Sequence, residues 1–427
     1  MTGRTFQSLR IRNYRLFFIG QFVSVTGTWM QTVAQGWLVL RLSGSSGVAL
    51  GTVVALQFLP MLVLGPWGGV VADRFDKRRT LVGAQAWMAL AAATLAVLDL
   101  TGVVQLWHVY LLSSLTGLGN VVDVPTRQAF VTELVGSDDL PNAVGLNSAM
   151  FNGARVFGPA MAGPLIALFS TGVCFAVNAF SFVAVIGALC CLRTDDLFRS
   201  QLGVGRAKGQ VLAGIRYVRS EPVLRTTLIL VAIVGTFAMN FQVLLPLMAK
   251  RVFGGDAGTY GLITAFMGGG AMVGALVTAS SGKPSQRRLI GASLAFGVTM
   301  LVGSVAPTLL TETAVLVLVG AASITFLATA NTTVQLASAP EMRGRVMALY
   351  ALVFLGSTPF GGPVMGWLAQ HAGTRFAMGV GASSCFVAAG LGAWLLRRVQ
   401  VAALSDGPST LALATAGTDP AVNSAAA

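Results

Sequence analysis

Charge is scarce in this chain: 10% of its 427 residues are charged, two are histidine and four are cysteine. A soluble globular chain carries about 25% charge, so that class is excluded. His108 and His371 lie far apart, no HExxH occurs, and no apolar run holds a carboxylate pair. These absences argue against a metal-dependent or acid–base enzyme, and no metal site is expected. Gly282-Lys283 is followed by Pro284, so there is no P-loop. Cys174, Cys190, Cys191 and Cys385 lie in apolar runs without a CxxC pair, and they read as small buried apolar residues. The ~10-residue alternating segments of a β-barrel are also missing.

What remains is apolar: 55% hydrophobic residues and a mean hydropathy of +0.75. Runs long enough to cross a bilayer recur along the chain. Twelve are read, at about 15–40, 48–72, 80–101, 105–129, 141–169, 172–193, 223–249, 258–280, 287–306, 312–336, 344–369 and 374–397. The expected fold is all-α and integral to the membrane, with twelve transmembrane helices in two six-helix pseudo-repeats. Residues 1–193 form the first half and 223–398 the second. Between them, 194–222 is a cytoplasmic linker with a basic amphipathic helix at Val211–Val223, suited to the headgroup region. The Ala/Ser/Thr/Gly-rich stretch 399–427 is expected to be a disordered tail. Arg4, Arg10 and Arg12 precede the first run, but its length and its Gln and Thr residues mark an uncleaved span.

The net charge of +13 sits at the ends of runs, not in a basic domain, so nucleic acid is not an expected partner. With the N-terminus inside, Arg41, Lys250, Arg251 and Arg375 alone fall outside and Arg155 falls within a run. Both termini are therefore expected in the cytoplasm. The densest cluster, Asp73, Arg74, Asp76, Lys77, Arg78 and Arg79, then lies on the cytoplasmic side.

Inside the runs, polar residues form stripes. Gln21, Ser24, Thr28, Gln31 and Gln35 are spaced three and four apart, on one helix face. Ser113, Thr116, Asn120, Asp123 and Arg127 repeat the spacing in the fourth run, with weaker echoes at Thr236 and Asn240 and at Thr325, Thr329 and Thr332. The stripes occupy the first and fourth runs of each half, so they are expected to line one aqueous cavity; the alternative is polar glue between helices. Asp123 and Arg127 can pair at i, i+4. Asp123 is read as the one carboxylate clearly inside a run, either a structural partner or a protonatable coupling group. Arg155 is read as its companion in coupling, as a gating partner, or as a substrate contact. Gly158-Pro159 and Gly362-Pro363 stand 204 residues apart at matching places in the halves, as tight-packing or flexing points.

These residues resemble the major facilitator superfamily from about Asn13 to Arg398. Gly69-x-x-x-Asp73-Arg74-x-x-Lys77-Arg78 is similar to its signature between helices two and three, with Asp76 where the general pattern has glycine. Residues 154–163 resemble the antiporter motif of proton-coupled exporters, with Ala154 and Ala162 replacing two glycines. The stretches 123–130, 139–143, 217–219 and 343–347 resemble the macrolide-efflux and enterobactin-exporter-like branch.

The resemblance implies alternating access and efflux of a small organic molecule: a drug, an antibiotic or a siderophore-like compound. It implies no cofactor, a proton gradient as the energy source, a monomer and a place in the inner (plasma) membrane. The alternative is a facilitator or importer on the same fold. It also implies a cytoplasmic gate of Gly69, Asp73, Arg74, Arg78 and Arg127. In that gate Asp73 faces the start of the eleventh helix, where Ser338-Ala339-Pro340-Glu341 reads as a capping box.

Overall fold

The computed structural model describes residues 6–198, 210–280 and 284–405, and these are helical with no strand. A helix stands at every expected run. The first half contains α1 (Arg12–Leu42), α2 (Gly47–Arg74), α3 (Lys77–Leu100) and a single helical stretch, Leu106–Leu168. That stretch turns at Gly136, where φ 73° and ψ −177° suit glycine alone. It is therefore two helices, α4 (106–135) and α5 (137–168), followed by α6 (Thr171–Cys190). The amphipathic linker helix is α7 (Gln210–Ser220). The second half begins with α8 (Pro222–Phe237) and α9 (Phe241–Leu247), one run broken at residues 238–240, with a π-turn at Met248–Val252. It continues as α10 (Ala257–Ser280), α11 (Gln286–Ser304), α12 (Leu309–Ala337), α13 (Pro340–His371) and α14 (Thr374–Ser405). Among the described residues, eight helical spans are long and apolar enough to cross a membrane.

Short polar residues start several of these helices by accepting an otherwise unpaired N–H. Ser46 accepts from Ala49, Ser170 from Val173, Ser285 from Arg288 and Thr308 from Thr311. Asp76, which stands at a family glycine, caps α3 by accepting the Arg79 N–H at 2.8 Å. Its φ of −57° needs no glycine.

Two expectations are corrected. The expected capping box at Ser338 does not form. The residue capping α13 is Ala339, Ser338 donates back to the Val334 carbonyl, and the Ala339 N–H goes to the Tyr217 hydroxyl of α7 at 3.1 Å. The tail expected from 399 begins as helix, because α14 continues to Ser405; 406–427 lie outside the described residues, as do 199–209 and Lys283.

Helices 1–6 pack among themselves, as do 8–14, and α7 lies on α8 and α13. The halves meet along two related crossings, α2 on α13 and α5 on α10. Each pairs the second helix of one half with the fifth of the other. Helix ends bearing Lys77–Arg79, Arg287 and Arg343 form a basic face; the opposite ends form the far face.

Candidate transport site

Glycine brings the backbones together at both crossings. A Cβ on Gly51 would stand 2.4 Å from the Gly362 carbonyl oxygen, and one on Gly366 would stand 2.2 Å from that of Gly47. At the second crossing, a Cβ on Gly261 would lie 2.7 Å from the Pro159 oxygen, and one on Gly163 would lie 3.0 Å from the Gly258 Cα. Side chains larger than hydrogen would force these helices apart. The Gly-Pro pairs at 158–159 and 362–363 stay helical throughout, and close approach accounts for their glycines: a Cβ on Gly158 would reach the Thr26 oxygen of α1 at 2.7 Å.

These crossings lie toward the far face. So do the hydrogen bonds between described residues of the two halves, from Ser46 Oγ (2.7 Å) and the Val48 N–H (3.1 Å) to Gln370 Oε1. Lys250, also at this end, lies 5.5 Å from the Trp37 ring centre. At the basic face Asp73 and Arg74 are exposed and Gly69 is half-buried on α2. Asp73 makes no ion pair among the described residues. Of its expected partners, Arg78 donates to the Leu189 and Cys190 carbonyls (2.6 and 2.9 Å), capping the end of α6. Arg127 bonds elsewhere. Lys77 pairs with Glu133 at 2.6 Å. The expected gate residues are thus not brought together in this conformation.

A polar network fills the first half. Asp123, 1% exposed on α4, pairs with Arg127 at 2.8 Å and accepts from Gln85 of α3 at 2.6 Å. Arg127 also donates to Gln21 of α1 at 3.3 Å and lies over the Phe151 ring of α5 at 5.1 Å. Four helices therefore meet around one ion pair. The Gln21 amide nitrogen is buried without a partner among the described residues, which leaves a donor beside that pair. Arg155 stacks on Trp29 at 5.4 Å and has no ion pair to Asp123.

The α1 stripe is less a cavity wall than its spacing implies. Gln31 accepts from Asn178 of α6 (2.6 Å) and Gln35 donates to Ser113 of α4 (3.0 Å), both buried. Ser24 is buried and Thr28 is exposed. A Cβ on Gly27 would clash with Ser181 and Asn178 at 2.5–2.6 Å, so α1 and α6 are held by polar contact at close range. Asn120 is half-buried on α4.

In the second half Asn240 sits at the break between α8 and α9. Its amide donates to the Thr236 carbonyl at 2.7 Å, and a Cβ on Gly361 of α13 would meet that carbonyl at 2.0 Å. Thr325 of α12 approaches Thr278 of α10 at 3.4 Å, and the Thr329 hydroxyl is buried with no partner.

Asp123 is not alone as a buried acid. Asp99 pairs with Arg41 and accepts from Thr171. Glu312 of α12 is 0% exposed and neither of its oxygens has a hydrogen-bond partner among the described residues. Glu312 opens a predicted run and Asp99 closes one, so both read as interfacial from sequence. Gln85 carried one available signal, as a lone amide within the third run.

Two helical bundles meeting at symmetry-related glycine crossings, each with polar and charged groups inside, define a multi-pass membrane transporter. The family described as transmembrane secretion effector matches residues 3–412, and the chain belongs to it, within the major facilitator superfamily. The chain is similar to the multidrug efflux pump Tap of Mycolicibacterium fortuitum, 28% identical over 371 residues, 84% of this chain and 89% of that one. It is 25% identical to the staphyloferrin A transporter of Staphylococcus aureus over 67% of this chain and 72% of that one. It is 22% identical to macrolide efflux protein A of Streptococcus pyogenes over 70% and 75%. The fold is shared with a bacterial homologue of the human lysosomal transporter Spinster in an inward-facing, unoccupied conformation: 13% identical, TM-score 0.72, covering 90% of this chain and 96% of that one. The protein is a transporter of small molecules, not an enzyme.

Proposed function

We propose that the chain exports a small organic molecule of the drug, antibiotic or siderophore-like class in exchange for protons, by alternating access across the plasma membrane. The observation that carries this reading is the one-sided contact between the halves: close backbone crossings toward the far face, an exposed Asp73 at the basic face. With the basic face in the cytoplasm, this is the inward-open state, and substrate enters from inside. Closing that side brings Asp73 toward the start of α13. Asp123, buried with Arg127, Gln85 and Gln21, is the coupling group: protonating it frees Arg127 and loosens four helices at once. Arg155, stacked on Trp29, sits in the adjacent helix. Asn120, Thr28, Thr236, Asn240, Thr325 and Thr329 supply polar contacts to the central space. The energy source is the proton gradient, and no cofactor is required.

Support for the substrate class comes from the named relatives, a macrolide exporter and a multidrug pump among them. The test is reconstitution into proteoliposomes with a macrolide as probe and an imposed pH gradient. Flux should follow the gradient and become gradient-independent in Asp123→Asn. Macrolide flux that ignores the gradient in the wild type as well removes proton coupling. Direction is read separately in cells: an exporter lowers macrolide accumulation when overproduced, and an importer raises it.

A further inference from the structure

The linker helix α7 leaves a cleft against the second half that the transport reading does not use. Its volume is about 310 Å³, and its walls come from three helices: Ile215 and Val218 of α7, Leu228, Ile229 and Ala232 of α8, and Leu349 and Val353 of α13. Every one of these is apolar. The remaining lining residues are Arg219 and Arg225, both exposed. Arg225 donates to the Arg219 carbonyl at 3.5 Å, which holds the two guanidinium-bearing residues together. Neither makes an ion pair among the described residues. Glu221, on the same turn, pairs with neither, and Arg216 adds a further exposed cation to this face of α7.

The shape of the cleft selects an occupant. Arg225 lies in the first turn of α8, at the basic face, and Ala232 lies seven residues deeper. At 1.5 Å per residue the cleft descends about 10 Å from the arginines into the hydrocarbon. A ligand that satisfies both parts has an anionic head and an apolar tail. Free phosphate would leave the apolar walls empty, and a zwitterionic lipid would offer two arginines a phosphate already offset by its own cation.

We propose that this cleft is a binding site for one anionic phospholipid, its phosphate on Arg219 and Arg225 and an acyl chain along Ile229, Ala232 and Val353. Guanidinium groups suit phosphate through paired N–H donors. The amphipathic character of α7 places it at the headgroup level, where such lipids are concentrated. The site also touches the moving part of the molecule. Tyr217, next to Val218, accepts the Ala339 N–H at the start of α13, and a Cβ on Gly214 would lie 3.5 Å from Arg345 of that helix. A bound lipid would thus fasten the linker to the basic end of α13, the end that approaches the first half when the basic face closes.

The test needs no transport substrate. The full chain is placed in nanodiscs of phosphatidylcholine with a minor share of phosphatidylglycerol, extracted into detergent, and weighed by native mass spectrometry. The wild type should retain one phosphatidylglycerol. Arg219→Gln/Arg225→Gln should lower that affinity about tenfold or more, as loss of two interfacial cations requires. Ala232→Trp, which fills the deep end without touching either arginine, should abolish retention. Thermal melting checks that both variants are folded. Equal retention of phosphatidylcholine, unchanged retention in the double variant, or retention by Ala232→Trp would each overturn the site, the last by reducing it to surface charge. Competition by glycerol phosphate as effective as by the lipid would overturn the acyl-chain part.

Discussion

The fourth helix of each half buries an acid, and the two are treated in opposite ways. Asp123 on α4 receives hydrogen bonds from Arg127 and Gln85, with Gln21 completing the network. Glu312 on α12 receives none among the described residues; Arg375 is its electrostatic neighbour, and that guanidinium donates to the Ala306 carbonyl at 2.6 Å. They also sit at opposite ends of corresponding helices, Asp123 toward the basic face and Glu312 one turn in from the far face. The contacts between halves show a milder asymmetry: at its tightest point α2–α13 has a Cβ clearance of 2.2 Å, against 2.7 Å for α5–α10. Duplication conserves the helical frame. The polar chemistry inside it diverges, because a charge is retained where it has partners or work, and is otherwise costly.

The largest effect on transport should come from the crossings. Gly366→Val puts side-chain atoms into the Gly47 carbonyl, and overpacking of this kind costs ~1–3 kcal/mol or more. Transport should fall at least tenfold, with cysteines placed on the far face becoming reactive as that side opens. Gly261→Val should act the same way but more weakly. An equal or larger effect at Gly261 would contradict the difference in closest approach between the two crossings.

Next come the acids. Arg127→Gln strands the Asp123 carboxylate and should cost ~3–5 kcal/mol, as removal of one member of a buried pair does. Glu312→Gln removes a group with no partner to lose, so thermal stability should stay the same or rise. A Glu312→Gln variant as unstable as Arg127→Gln would mean that Glu312 is paired in the membrane, and the comparison between halves would fail.

The helical frame was legible because each bilayer crossing needs its own long apolar run, and the Gly-Pro pairs were legible as points of tight packing. The polar interior was half legible. A stripe such as Gln21 to Gln35 shows which face is polar, but not that Gln31 finds Asn178 or that Gln35 finds Ser113, since both partners are over 70 residues away in sequence. Partner choice arises from packing. For the same reason Arg78, read as a gate residue, serves to cap α6, and Tyr217 takes the role expected of Ser338. Glu312 escaped notice because an acid at the end of an apolar run looks solvated until a loop and a neighbouring helix cover it.

A smaller effect is expected at Asp73. It is exposed and unpaired here, so Asp73→Asn should leave the melting temperature within a degree or two of wild type, in keeping with surface changes of under ~0.5 kcal/mol. Macrolide flux in proteoliposomes should nevertheless drop severalfold, because the lost contact belongs to the state closed at the basic face. Unchanged flux would remove Asp73 from the gate.

The most local effect sharpens the comparison at the helices that form the crossings. Both α2 and α10 start at the far face behind a capping residue, but the caps differ in chemistry. Ser46 caps α2 as a neutral hydroxyl, accepting from Ala49 at 3.2 Å. Asp256 caps α10 as a carboxylate, accepting the N–H of Thr259 at 2.9 Å and its hydroxyl at 3.0 Å. The backbone bond first, and then the hydroxyl, hold the Asp256 carboxyl below its usual range. A carboxylate favoured in the folded state adds stability that is complete above the ordinary carboxylate range and is lost as pH falls through the lowered value. Removing either cap with alanine should cost about 1 kcal/mol near neutral pH, more at Ser46, whose hydroxyl also donates to Gln370 across the halves, and less at Asp256 to the extent that water screens so exposed a group. In acid the two should part: Ser46→Ala keeps its full deficit, while the deficit of Asp256→Ala shrinks by the part that depends on its charge. Thermal melting of both variants against wild type across that range reads the difference directly, and parallel curves would mean that the charge on Asp256 contributes nothing to the start of α10.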